Sequence, residues 1–149
     1  MDWFSQLLSN RILLCALTSW LAAQVLKMLL YWALEHEFDI RRMWGAGGMP
    51  SSHSALVFSL AFMTGVESGF DTPAFAIAFA LMTIVMHDAT GVRRETGRQG
   101  IVINKILRDV LIGGKPITEE NLKELVGHTP LEVLGGVVVG LVVTLLFIL

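Results

Sequence analysis

Four apolar runs constrain this chain more than any other feature: Ile12 to about Leu34, Ser52 to Val66, Pro73 to Thr90 and Thr129 to Leu149. A helix of about 20 apolar residues matches the ~30 Å hydrocarbon core of a bilayer. Composition agrees, with 54% of the 149 residues hydrophobic and only 16% charged. Mean hydropathy is +0.64, a value for a polytopic membrane protein rather than a soluble one. The expected fold is all-α: an integral membrane helical bundle of about four transmembrane helices, forming one domain over residues 1–149. The run at Ser52 to Val66 is short for a span, so little tilt or local thinning of the bilayer is expected there.

Details of the runs add to this. Gln24 and Lys27 interrupt the first one. A lysine at mid-bilayer costs roughly 2.5–3.5 kcal/mol on insertion scales and less near a helix end. Lys27 is expected towards the C-terminal end of this helix and facing the bundle, the alternative being a side chain that snorkels to the interface. Trp3 and Phe4 suit the headgroup level. The start lacks the basic residues of a cleaved signal, so the first run is expected to be retained. Cys15 is the single cysteine, which rules out an intrachain disulfide. Between Glu95 and Leu111, Val102, Ile103, Ile106, Leu107, Val110 and Leu111 recur at helical spacing, with Arg98, Lys105, Arg108 and Asp109 off the stripe. That pattern predicts an amphipathic helix lying at the interface. Thr118 is placed to cap a short helix that Gly127 ends. Gly136 with Gly140, and Gly65 with Gly69, form small faces suited to close helix packing.

With four spans, connectivity alone decides which ends are neighbours. The end of helix one, the start of helix two, the end of helix three and the start of helix four share one membrane face. Those ends carry Lys27, Ser51, Ser52, His53, Asp88, Arg93, Arg94, His128 and Glu132. Of the eleven Lys and Arg residues, only Arg11 lies on the opposite face. The positive-inside rule then puts the residue-rich face in the cytoplasm.

Within that face, Gly47-Gly48-Met49-Pro50-Ser51-Ser52-His53-Ser54 makes an irregular turn into a helix. A helix start carries unpaired N–H groups and the positive end of the dipole, and so favours an anion. Ser51 and Ser52 offer hydroxyl donors, and His53 offers a proton near neutral pH. Arg93 and Arg94 are fixed cations suited to phosphate oxygens or to headgroup anchoring. Asp88 is suited to orienting one of these partners or to a structural ion pair. Glu132 has two readings. Thr129 to Glu132 matches a capping box, in which the glutamate bonds the N-cap backbone. His128 and Glu132 are also four apart, which lets the carboxylate orient the imidazole.

Two of these segments together resemble a known family. Pro50-Ser51-Ser52-His53 resembles the Pro-Ser-Gly-His motif of the type 2 phosphatidic acid phosphatases, a superfamily shared with vanadium haloperoxidases. Gly127-His128-Thr129-Pro130-Leu131-Glu132-Val133-Leu134-Gly135-Gly136 resembles its last motif, where a histidine is followed four residues on by an aspartate. With Asp88-Ala89-Thr90-Gly91-Val92-Arg93-Arg94 added, the chain looks like the small divergent branch of that superfamily from Lys27 onward. The resemblance implies a lipid-phosphate phosphatase acting without a metal or other cofactor. In it His128 is the nucleophile, Glu132 stands for the orienting aspartate and His53 is the acid for the leaving alcohol. Lys27, Ser51 and Ser52 would hold the phosphate, joined by Arg93 or Arg94, with Asp88 and Gly48 in support. Leu122 occupies the place of the third motif's arginine. The partners implied are the bilayer and a phosphorylated lipid such as phosphatidic acid, phosphatidylglycerophosphate or a polyprenyl phosphate or pyrophosphate. No nucleic acid is implied, and self-association is compatible. The setting implied is a bacterial inner membrane. The competing readings are a phospholipid-binding or transport protein with a degenerate site, and a metal site built on Asp88, Glu132 and histidines, which lacks a recognised ligand spacing.

Overall fold

The computed structural model describes residues 2–36, 48–91, 99–103 and 128–149. Helices and turns make up these residues, with no strand among them. The elements are α1 (Trp3–Leu8), α2 (Arg11–Glu35), α3 (Ser52–Ser68), α4 (Pro73–Thr90) and α5 (Pro130–Ile148). Residues 99–103 are also helical and leave Ile101, Val102 and Ile103 exposed. The rest of the expected amphipathic helix, the Thr118 segment, Arg93 and Arg94 lie outside the described residues.

Local chemistry sets the helix boundaries. Asn10 accepts from the Leu13 amide at the start of α2, and Ser51 from the Ser54 amide at the start of α3. Thr72 caps α4, with Pro73 in the first turn, where its missing N–H costs nothing. Gly69 closes α3 at φ 101°, a conformation in which a Cβ would clash.

Among the described residues, three helices are long and apolar enough to cross a membrane: α2, α4 and α5. The fourth expected span, α3, has 17 residues and rises about 26 Å, just short of the ~30 Å core. It is nonetheless the centre of the bundle, packed against α2, α4 and α5. Arg11 shows how the helices run. One guanidinium nitrogen pairs with Glu67 at 2.8 Å and another donates to the Phe147 carbonyl at 2.6 Å. The start of α2 therefore meets the ends of α3 and α5, so α3 and α5 run together and α2 runs against both. The short turn from Gly69 to Thr72 sends α4 back along α3.

The interior is small and weakly polar, and the exterior is apolar. Buried positions include Cys15, Ala16, Ser19, Ala23, Ala55, Ser59, Ala61, Thr64 and Thr144, whereas Ile77, Phe79, Ile84, Leu134, Val138 and Leu146 are exposed. A soluble bundle shows the reverse; this distribution belongs to a membrane protein, where small residues let backbones approach. Three of the buried hydroxyls are satisfied within their own helices. Ser59 donates to the Ala55 carbonyl, Thr64 to Leu60 and Thr144 to Gly140.

Gly136 and Gly140 form the closest contact, as their spacing suggests. A Cβ on Gly136 would collide with the Ser51 carbonyl and the Ser54 side chain, and one on Gly140 would lie 2.7 Å from the Ala55 carbonyl oxygen. The Gly65 and Gly69 pair corrects its expectation. The notch at Gly65 is filled by the Phe70 ring of the adjoining turn rather than by another helix, and Gly69 serves the turn.

Candidate phosphate site

The site is built where the starts of α3 and α5 lie side by side. The Ser51 amide donates to the Glu132 carbonyl at 2.9 Å, so each helix start is held by the other's first turns. Met49 and Pro50 rest on Gly135, with the nearest approach to a Cβ there at 3.3 Å. Two helix N-termini thus open on the same end, and their dipoles add positive potential there.

Ser51 is fully buried and shapes the floor. Its Oγ accepts from the Ser54 amide at 3.3 Å and from the Ser54 hydroxyl at 3.0 Å. With both lone pairs engaged, the remaining capacity of Ser51 is as a donor. Ser52, also buried, contributes the first amide of α3, which has no acceptor within the helix. Ser54 is a supporting residue that sequence reasoning passed over, although it stands inside the same motif.

Lys27 lies about two turns before the end of α2. It is 6% exposed, so it faces the bundle and does not snorkel. Its aliphatic stem runs past Gly48, where a Cβ would sit 3.6 Å from Cδ, and its ammonium interacts electrostatically with Glu132. Among the described residues it makes no ion pair or hydrogen bond. A buried ammonium beside two helix starts is a strong attractor for an anion.

His128 is 6% exposed and immediately precedes the N-cap of α5. Its Nδ1 lies 3.1 Å from Glu132 Oε2. The same oxygen accepts from the Thr129 amide at 2.8 Å, and Thr129 Oγ1 accepts from the Glu132 amide at 3.3 Å. The two readings of Glu132 are therefore both realised at once.

The structure thus gathers His128, Glu132, Ser51, Ser52, Lys27 and Gly48. His53 and Asp88 emerge at the same end of the bundle, on the first turn of α3 and the last of α4. His53 is exposed. It stands two residues, or about 200° of helical rotation, from Ala55, against which Gly140 packs. Asp88 is half-buried. Among the described residues, no three His, Cys, Asp or Glu side chains gather.

The family profile described as the divergent PAP2 family matches residues 8–143. The chain belongs to the divergent PAP2 family. It is also 37% identical over 150 residues to the uncharacterized membrane protein YuiD of Bacillus subtilis (strain 168), covering 94% of this chain and 95% of that one. No solved structure matches. Family membership relates this membrane protein to the phosphatases whose motifs it resembles.

Proposed function

We propose that this chain is a metal-independent phosphatase of the membrane, acting on a lipid phosphomonoester through a phosphohistidine. The observation that carries the reading is the contact of His128 with Glu132 beside the paired helix starts and the buried Lys27. A phosphoryl transfer needs a nucleophile, cations for the charge growing on the equatorial oxygens and an acid for the leaving oxygen.

In this reading the phosphate lies over the Ser51 and Ser52 donors with Lys27 against one oxygen. Glu132 accepts a hydrogen bond from the Nδ1–H of His128, leaving the Nε2 lone pair to attack phosphorus. The bond from phosphorus to the lipid oxygen breaks, and His53, exposed on the first turn of α3, takes the role that the family resemblance gives it and passes its proton to the departing alkoxide. Water then attacks the phosphohistidine, passes a proton to His53 and releases phosphate, which returns His128 to its starting state. Arg93 or Arg94 supplies further charge in place of the motif arginine, whose position holds Leu122, and Asp88 and Gly48 support the cradle. The lipid tail lies among the helices, with the site facing the cytoplasm of a bacterial inner membrane.

The test uses purified protein in detergent with chelator present. Phosphate release from phosphatidic acid, inhibition by vanadate and loss of turnover in His128→Ala are expected. Turnover that survives His128→Ala removes the proposed nucleophile. Leu122 in the arginine position favours a second reading, a phospholipid-binding or transport protein. Saturable binding of phosphatidic acid without any release of phosphate would establish it instead.

A further inference from the structure

The cap of α5 and the proposed nucleophile share one oxygen atom. Thr129 is the N-cap and Glu132 the third helical residue, and their reciprocal bonds close the capping box. His128 stands one residue outside it. Oε2 of Glu132 takes the Thr129 amide at 2.8 Å and lies 3.1 Å from His128 Nδ1. Glu132 Oε1 has no hydrogen-bond partner among the described residues. A glutamate side chain on an open helix end has three rotatable bonds, and here the cap immobilises them.

We infer that Thr129 is a positioning residue, which acts through Glu132 to hold His128 with its proton on Nδ1. An ionised carboxylate only accepts hydrogen bonds, so the ring nitrogen facing it must carry the proton. Nε2 is then left with its lone pair. Thr129 does not touch the ring itself; it pins the carboxylate that does. This also accounts for a glutamate where the superfamily motif has aspartate. An aspartate is one methylene short of the N-cap amide, and capping boxes use Glu or Gln at this place. In this chain the cap and the imidazole are served by one side chain long enough for both. The consequence for rate rests on the phosphatase reading; the tautomer does not.

The experiment measures both, on full-length protein in lipid nanodiscs with ¹⁵N-labelled histidine. The signal of His128 is identified by its loss in His128→Ala, and long-range ¹H–¹⁵N correlations taken where the ring is neutral report which nitrogen is protonated. The wild type should show Nδ1–H alone. Thr129→Gly removes the hydroxyl and puts a residue that N-caps tolerate in its place, and should give a mixture of tautomers. With phosphatidic acid, its kcat should fall about 10-fold with KM little changed, well short of the ~10⁴-fold that loss of an orienting carboxylate can cost. Thr129→Ser should restore both the single tautomer and kcat. Thr129→Val repeats the deletion with a β-branched residue, and circular dichroism with gel filtration identifies any variant that has not folded.

A Thr129→Gly protein that keeps pure Nδ1–H would overturn the inference. So would a Thr129→Ser protein as impaired as Thr129→Gly, since the hydroxyl would then not be the determinant. If the wild type releases no phosphate, the phosphatase reading falls and the tautomer pattern still decides this one.

Discussion

The Ser51 amide reaches the Glu132 carbonyl at 2.9 Å, and this one main-chain bond joins the proposed phosphate cradle to the imidazole's support. Short of Ser51→Pro, which removes the N–H, side-chain substitutions leave both groups in place, and the bond is lost only if α3 moves away from α5. What permits it is the absence of a Cβ on Gly136, beneath the Ser51 carbonyl and the first turn of α3. The glycines of α5 are therefore as much part of the site as of the bundle.

Gly136→Ala should accordingly be severe. The added methyl meets main chain, including the Ala55 nitrogen at 3.2 Å, which cannot rotate aside. Overpacking of this kind costs about 1–3 kcal/mol, and the loss should appear both in thermal unfolding in detergent and in turnover. Gly135→Ala makes the fair comparison, because its methyl meets the end of the Met49 side chain at 3.3 Å and the Pro50 ring at 3.4 Å. The Met49 side chain can swing away, so this variant should lose far less. Equal losses at the two positions would contradict the proposed crossing.

Lys27 separates function from stability. Burying an ammonium among helices is unfavourable, so Lys27→Met should melt at the same temperature as wild type or higher. If Lys27 contacts the phosphate, the same change should weaken vanadate inhibition about 10- to 100-fold, matching the 1.5–3 kcal/mol of a hydrogen bond to a charged group. A variant that melts lower and binds vanadate normally would make Lys27 structural.

These positions also show what the sequence makes legible. The helix ends could be read because caps are local: Thr72 with Pro73, and Thr129 with Glu132, act within one turn. Lys27 could be placed near the site because topology alone brings the end of α2 beside the start of α3. Its depth of burial could not, because that depends on how the turn at Gly48 packs against its stem. Gly136 with Gly140 and Gly65 with Gly69 have the same spacing and different uses. The difference is Phe70, whose ring reaches back from the turn, a contact that helical periodicity does not express. Glu132 looked like a choice between a cap and an imidazole partner, and only the shared oxygen shows that one side chain does both.

The crossing of α3 can be tested without activity. On a Cys15→Ser background, Asp71→Cys lies in the exposed turn after α3, and Met49→Cys lies before it. With the site facing the cytoplasm, an impermeant maleimide added outside intact spheroplasts should label Asp71→Cys and leave Met49→Cys unlabelled until the membrane is opened. Labelling of both from one side would mean that α3 does not cross.

Arg11 provides the control at the other end of the bundle. Its guanidinium bridges Glu67 and the Phe147 carbonyl, holding α2, α3 and α5 together far from His128. Arg11 is more than half exposed, so solvent and salt screen the pair. A double-mutant cycle of Arg11→Ala with Glu67→Ala should give a coupling of about 0.2–1 kcal/mol, the range for exposed ion pairs, and the coupling should shrink as salt is raised. The bond to the Phe147 carbonyl is lost in Arg11→Ala and in the double variant alike, so it cancels from the coupling, but it should make Arg11→Ala more destabilising than Glu67→Ala. Neither change should alter kcat, because the cradle, the imidazole and Lys27 all sit at the opposite helix ends. A fall in kcat with unchanged unfolding temperature would mean that the two ends move as one, and that the α3–α5 crossing does not isolate the site from its anchor.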